Sequence, residues 1–239
     1  LPGKVSGVCP GCMHSTVHKI IGEAAEELGV IDKLVRVEGV GCCGLGQMYV
    51  SSDMILAAHG RAGAVATGVK RSTPDSLVYT YQGDGDLAAI GLGETISAAN
   101  RGENFTVIFV NNGIYGMTGG QMAPTTLLGM KSTTTPKGRD AEEHGYPMHV
   151  FEVINQLTAP YYIHRVAVDT PQHVIEARKA IKKAFQYQME GKGYSIVEIV
   201  TSCPTKWGLG TLESLEFLRE KMFAEYPLGL VRDKGAEEK

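Results

Sequence analysis

Two short runs, Leu77 to Tyr81 and Thr106 to Val110, are apolar or β-branched throughout, and each ends in a polar, glycine-bearing loop. Runs of this length without polar alternation predict strands buried on both faces, and the pattern between them predicts a helix from about Leu87 to Asn100. Strand, helix and strand in that order make one βαβ unit with parallel strands. Its two loops, Gly83-Asp84-Gly85-Asp86 and Asn111-Asn112-Gly113-Ile114, then leave from the same carboxyl edge, where open α/β sheets bind ligands. Asp84 and Asn112, distant in sequence, can meet there.

The same reading extends to the flanks. Val17, Ile20, Ile21, Ala24, Ala25 and Leu28 recur at i, i+3, i+4 spacing and predict a helix from His14 to Leu28, stopped by Gly29. Leu34 to Val37 reads as a short strand, and Ala62 to Lys70 as a small-residue helix suited to close packing on a sheet. Val150 to Leu157 is expected to be helical, and Tyr161 to Val168 and Tyr194 to Val200 to be strands. Thr170-Pro171 is an N-cap followed by proline at the first helical position, opening a helix to Glu190 whose basic cluster, Arg178 to Lys183, is a solvated face. Thr211 to Glu225 is amphipathic. Residues 123–147 show no periodicity and are too long for an idle loop, which points to a lid or a subunit contact. Arg232 to Lys239 is a charged tail, expected to be mobile. The fold class expected is α/β, a doubly wound, mostly parallel sheet: one domain over residues 1–239 with a C-terminal helical extension.

The loop chemistry is more specific than the fold. Gly83 and Gly85 permit a tight turn and close approach, and a helix N-terminus beside them favours phosphate. Asp84 places a negative charge at the same point, which repels phosphate unless a cation lies between them. A hard divalent ion such as Mg²⁺ resolves the conflict, held by the Asp84 carboxylate, the Asn112 amide oxygen and a backbone carbonyl of the Gly113 to Ile114 turn. Each loop taken singly is an ordinary turn; their pairing in one βαβ unit favours the ligand reading.

Composition narrows the class. With 239 residues, 43% of them apolar and 21% charged, the chain can bury a substantial core, and a net charge of −3 argues against a nucleic-acid surface. No apolar run approaches bilayer length and no basic-then-apolar leader precedes the domain, so a cytoplasmic protein is expected, with Leu1 in place of a start methionine. Five cysteines, Cys9, Cys12, Cys42, Cys43 and Cys203, form no disulfide framework in this context. Their spacing leaves open an iron–sulfur cluster, a zinc site, or redox and unliganded thiols. Cys12 stands at a helix N-terminus, which favours thiolate. If the strand before Cys203 is parallel to the central pair, Cys203 emerges at the same edge as Asp84.

The Gly83-Asp84-Gly85 and Asn111-Asn112 array resembles the motif of thiamine diphosphate enzymes. Together with His59-Gly60-Arg61-Ala62, Val65-Ala66-Thr67-Gly68, Tyr115-Gly116-Met117-Thr118-Gly119-Gly120-Gln121 and Cys9-Pro10-Gly11-Cys12, it is similar to the β subunit of 2-oxoacid:ferredoxin oxidoreductases over residues 8 to 207. The resemblance implies the thiamine diphosphate-binding fold, with Mg²⁺ on Asp84, Asn112 and the Ile114 carbonyl. It implies cofactor contacts at His59, Gly83, Asp84, Gly85, Asp86, Asn112, Ile114, Gly116 and Thr118, with Arg61 either a contact or structural. A [4Fe–4S] cluster is implied on Cys9, Cys12, Cys42 and Cys203, with Cys43 the alternative to Cys42. The family commonly carries glycine at the position of Met13. No catalytic residue is fixed: His14 and His59 are candidates, His14 otherwise a solvated or capping residue.

Activity and partners follow from that resemblance. It implies oxidative decarboxylation of a 2-oxo acid to acyl-CoA with ferredoxin as acceptor, thiamine diphosphate serving as the electron sink. Leu45, Met48 and Tyr49 fall in a region that in the family lies near the substrate end, their apolar character suiting either a branched or bulky acyl chain or ordinary packing, and the overall look leans to 2-oxoisovalerate, with 2-oxoglutarate or pyruvate as alternatives. No second domain bearing an activating glutamate is recognisable, so an α-type subunit with the pyrimidine site is expected. The γ and ferredoxin-like δ subunits would complete the complex. The competing readings are a non-redox thiamine diphosphate decarboxylase or synthase and a non-catalytic iron–sulfur or zinc scaffold.

Overall fold

The computed structural model describes residues 7–48 and 50–237. Helix α1 (His14–Glu27) precedes β1 (Leu34–Glu38), a 3₁₀ segment (Cys42–Met48) and β2 (Asp53–Leu56). Next come α2 (Ala62–Ser72), β3 (Leu77–Gly83), a π-helical turn (Gly85–Ile90), α3 (Leu92–Asn100) and β4 (Thr106–Asn111). A small antiparallel pair, β5 (Ile114–Tyr115) and β6 (Gln121–Met122), leads through α4 (Ala141–His144) and α5 (Val150–Asn155) to β7 (Tyr162–Ala167). There follow α6 (Pro171–Met189), β8 (Ser195–Val200), α7 (Pro204–Trp207), helical pieces over Thr211–Phe217, Leu218–Met222 and Phe223–Glu225, β9 (Gly229–Asp233) and a last helical turn over Lys234–Glu237.

Seven strands form one sheet in the order β2-β1-β3-β4-β8-β7-β9, and only β9 runs antiparallel to its neighbour. Every residue of β4 and β8 is buried, as expected of strands covered on both faces. Helices α1 and α6 pack together over one face, where Ile20, Ile21, Ala177, Ile181 and Phe185 meet Tyr79, Tyr81 and Val197. Helices α2, α3 and α5 close the other face through Ala62, Ala66, Ala98, Ala99, Phe151 and Ile154. The sheet is therefore doubly wound.

Three expectations change. The helix of the central unit begins earlier, at Gly85, as a π-helical turn. The C-terminal residues Arg232 and Asp233 are not a mobile tail: they belong to β9, where Asp233 accepts a 2.6 Å hydrogen bond from Tyr187 and pairs with Lys183. The edge strand β2 has no predicted counterpart, because three of its four residues are exposed and its apolar content is not patterned by a core.

Candidate functional site

Register decides what meets at the carboxyl edge. Gly83 lies opposite Val110, and Asn111 opposite Val200, so the residues following β3, β4 and β8 emerge side by side. Asp84 is buried, and its Oδ1 accepts from the Gly85 N–H at 2.8 Å. Its Oδ2 accepts from the Ile114 N–H at 3.1 Å and the Thr125 hydroxyl at 2.8 Å. Asn112 Oδ1 accepts from the same Ile114 N–H at 3.1 Å, so a carboxylate and an amide oxygen converge on one backbone nitrogen. The turn between them needs Gly113, whose φ is +68° and whose N–H donates to Asn111 Oδ1. Burial pushes Asp84 up to about 6 against the Thr125 hydroxyl and the Gly85, Gly113 and Ile114 backbone groups that pull it down. An all-oxygen donor set around an acid that costs free energy to ionise alone fits a hard divalent cation, which would hold it ionised.

All predicted cofactor contacts line the cavity above this pair: His59, Gly83, Asp84, Gly85, Asp86, Asn112, Ile114, Gly116 and Thr118, joined by His14. Their reasons differ from those expected. Neither Gly83 nor Gly85 has positive φ. A side chain at Gly85 would overlap the Tyr115 ring, whose hydroxyl donates to the Gly85 carbonyl at 3.1 Å, whereas among the described residues nothing lies within 4 Å of a Cβ at Gly83. Asp86 does not face a ligand freely: its carboxylate accepts from the Val40 and Gly60 N–H groups, Gln82 and His59. It thereby orients the His59 ring at the rim, with Nδ1 2.5 Å from Asp86 Oδ1. Arg61 pairs with Glu94 at the surface. His14 is neither solvated nor a cap. It is buried, hydrogen-bonded to the Tyr81 hydroxyl at 2.7 Å, and burial pushes its pKa down to about 4, leaving a neutral imidazole.

The thiols of Cys9, Cys12, Cys42 and Cys203 line a second cavity, and Cys42 and Gly116 border both. Gly116 passes between two of them: a Cβ there would lie 3.4 Å from Cys42 Sγ and 3.5 Å from Cys203 Sγ. Cys43 is buried and borders the first cavity but not this one, so Cys42 is the member of the adjacent pair that joins the other three. Cys203 does emerge at the rim shared with Asp84, because β8 is parallel to β4 and the Thr201 N–H donates to the Asn111 carbonyl at 2.8 Å. At Cys12 two effects oppose each other. Hydrogen bonds from the His14 and Met13 backbone favour the thiolate, but burial dominates and pushes the thiol up to about 11. Burial likewise raises Cys203 to about 12. Neutral thiols around a cavity are the state from which metal binding expels protons. Among the described residues, no group of three His, Cys, Asp or Glu side chains could hold a single metal ion.

Sequence reasoning missed the supports. Thr125, in the unpatterned segment, reaches Asp84, and Trp207 Nε1 donates to the Asn112 carbonyl at 3.0 Å. The segment forms one wall beside the site. The buried Arg139 guanidinium donates to the carbonyls of Pro124, Thr126, Gly145 and Tyr146 at 2.6–2.9 Å, pinning both ends of the excursion to one cation. No local sequence signal marks this, since the acceptors are backbone carbonyls.

A doubly wound sheet with an Asp–Asn oxygen pair at its carboxyl rim defines an α/β domain that presents polar loops to a ligand at its strand ends. The family described as thiamine pyrophosphate enzyme, C-terminal TPP binding domain, matches residues 39–199. Ketoisovalerate oxidoreductase subunit VorA of Methanothermobacter thermautotrophicus is 49% identical over 96% of this chain and 48% of its own length. The 2-oxoglutarate synthase subunit KorB of Methanocaldococcus jannaschii is 37% identical over 89% of this chain and 76% of its own. A solved structure, 2-oxoglutarate:ferredoxin oxidoreductase from Magnetococcus marinus with 2-oxoglutarate, coenzyme A and succinyl-CoA bound, superposes with a TM-score of 0.79 at 29% identity, covering 97% of this chain and 82% of that one. The chain belongs to the thiamine pyrophosphate enzyme family and, within it, to the β-type subunits of 2-oxoacid:ferredoxin oxidoreductases. It spans about half the length of the VorA relatives it matches.

Proposed function

We propose that this chain is the thiamine diphosphate-binding subunit of a CoA-dependent 2-oxoacid:ferredoxin oxidoreductase, forming acyl-CoA, CO₂ and reduced ferredoxin. The observation that carries the reading is the shared rim: the Asp84–Asn112 oxygen pair and the cavity of four cysteines adjoin, with Cys42 bordering both. Asp84, Asn112 and the Ile114 carbonyl would hold Mg²⁺, and Cys9, Cys12, Cys42 and Cys203 a [4Fe–4S] cluster. When bound, the diphosphate cofactor supplies an electron sink for loss of CO₂ and the cluster one-electron transfer.

The chain's own residues bind and orient. Gly83 leaves open the approach to the metal site. His59, held by Asp86 through Nδ1, offers Nε2 towards a phosphate oxygen, and Thr118, whose hydroxyl donates to Gln121 Oε1 at 2.8 Å, would turn that hydroxyl to a phosphate on binding. His14, neutral and fixed by Tyr81, borders both cavities without adding charge. The substrate class proposed is a branched 2-oxo acid, 2-oxoisovalerate first and 2-oxoglutarate or pyruvate after it. Supporting that order, identity is higher to the ketoisovalerate subunit than to the 2-oxoglutarate one. Of the expected acyl contacts, Leu45 borders the cysteine cavity, whereas Tyr49 and the Met48 side chain lie outside the described residues.

Residues 1–239 act in this proposal as one domain with a C-terminal extension. An α-type subunit supplies the pyrimidine site, and γ and ferredoxin-like δ subunits relay electrons to ferredoxin. Cytoplasmic placement fits five free cysteines, and among the described residues no helix is long and apolar enough to cross a membrane.

The test is made on the anaerobically purified complex. Asp84→Ala is expected to abolish Mg²⁺-dependent thiamine diphosphate binding while keeping iron and its broad visible absorption. Cys203→Ala is expected to lose that absorption and ferredoxin reduction while still binding thiamine diphosphate. Wild-type binding by Asp84→Ala, or a full iron complement in Cys203→Ala, overturns the assignment.

A further inference from the structure

Beneath the oxygen pair lies a buried polar network that the chemistry above does not use. Glu198, in β8, receives the Asn111 side-chain N–H₂ at 2.7 Å on Oε1 and the Arg165 Nε–H at 2.6 Å on Oε2. Arg165, in β7, is itself withdrawn from solvent. Its terminal nitrogens both donate to Glu152 at 3.2 Å, and its guanidinium lies over the rings of Phe151 and Tyr226, 5.0 and 5.6 Å from their centroids. The Tyr226 hydroxyl donates to the Thr125 carbonyl at 2.8 Å, and the Thr125 hydroxyl donates to Asp84 Oδ2. Two arms thus leave one cation: Arg165–Glu198–Asn111 and Arg165–Tyr226–Thr125–Asp84.

Each arm ends on a group that shapes the proposed metal site. With one Glu198 oxygen taken by the Arg165 guanidinium, the other accepts from the nitrogen of the Asn111 amide. The amide oxygen is thereby turned to the Gly113 N–H, which fixes the turn that carries Asn112 and Ile114. On the other side, Tyr226 holds the Thr125 backbone and with it the hydroxyl that orients Asp84. Net stability is a poor explanation for such a pair, since buried ion pairs are commonly replaced by apolar residues of similar size without loss.

We propose that Arg165, acting through Glu198 and Tyr226, is the positioning residue of the divalent-cation site, setting the orientation of Asp84 and Asn112 and hence the affinity for the metal. This rests on the metal-site reading above. Without Arg165, buried Glu198 takes up a proton and can donate as well as accept, so Asn111 loses its preferred orientation.

The experiment compares the intact complex carrying wild-type chain, the double replacement R165M/E198M, and E198Q. Mg²⁺ and, separately, Mn²⁺ are titrated at saturating thiamine diphosphate, with Mn²⁺ occupancy read by electron paramagnetic resonance and thermal midpoints recorded alongside. R165M/E198M is expected to keep a near-wild-type midpoint and iron content but to bind Mg²⁺ about ten-fold or more weakly, the usual cost of losing an outer-shell partner. E198Q, which retains an oxygen for Asn111, is expected to fall between. Unchanged Mg²⁺ affinity in R165M/E198M overturns the inference, as does unchanged affinity in E198Q should the double replacement fail to fold. Absence of any Mg²⁺-dependent binding in the wild type would instead sink the metal-site reading itself.

Discussion

His18, in α1, is fully buried against Tyr81, and burial, reinforced by His14 and Arg36, pushes its pKa down to about 3. In the unfolded chain a histidine titrates near 6.5. A depressed folded value means that the neutral ring contributes stability above pH 6.5 and that this contribution is lost as the pH falls. Each unit below 6.5 costs up to about 1.4 kcal/mol for such a group. Replacement of His18 by Gln is expected to make the acid limb of urea-measured stability shallower by about one proton between pH 6 and pH 4; an unchanged slope would show that His18 is not the titrating group. Residue-level chemistry was legible where a group acts through its type, as at Asp84 and Asn112. It was misread where neighbours decide the role. Gly85 is required by the Tyr115 ring rather than by its own backbone, and at Cys12 burial works against the helix end.

At the scale of elements, β9 shows how a charged segment is converted into structure. It covers the outer edge of β7, and Asp233 is held there by Tyr187 and Lys183, while Arg232 donates to the carbonyls of Asn155, Leu157 and Pro160. Truncation after Leu228 removes these partners and exposes the β7 edge. The truncated chain is expected to lose several degrees in thermal midpoint and to aggregate on heating, measured by differential scanning fluorimetry with light scattering. An unchanged midpoint would mean that β9 is only laid against the sheet. The tail was illegible in sequence because its anchors, Tyr187 and Lys183, lie in α6, and a strand of five residues with two exposed apolar positions has no periodic signature. Conversely, α6 was readable almost to the residue: its cap accepts from the His173 N–H, and proline follows at once.

For the whole molecule, the central question is how the two cavities at the rim communicate. Trp207, the one tryptophan of the sequence, donates through Nε1 to the Asn112 carbonyl, while its own N–H donates to the Cys203 carbonyl at 2.9 Å. It is therefore tied to both the oxygen pair and the cysteine loop. Tryptophan fluorescence assigned to this residue, by difference from a complex carrying W207F, is expected to change when Mg²⁺ and thiamine diphosphate are added together. The change should vanish in Asp84→Ala; an identical response in that variant would show that Trp207 does not sense the site.

Taken alone, the order of residues determined the parallel core, the pairing of an acidic and an amide loop at one sheet edge, and the emergence of Cys203 at that edge. Those features depend on local pattern and on the handed, repetitive geometry of βαβ units, which a linear reading captures. Only tertiary structure decided which of Cys42 and Cys43 faces the other thiols, that the long unpatterned segment is a wall pinned by Arg139, and that Arg165 underlies the oxygen pair. Each of these turns on contacts between residues far apart in the chain, often through backbone carbonyls or aromatic faces. Such contacts are set by packing and burial, to which residue type alone gives no access.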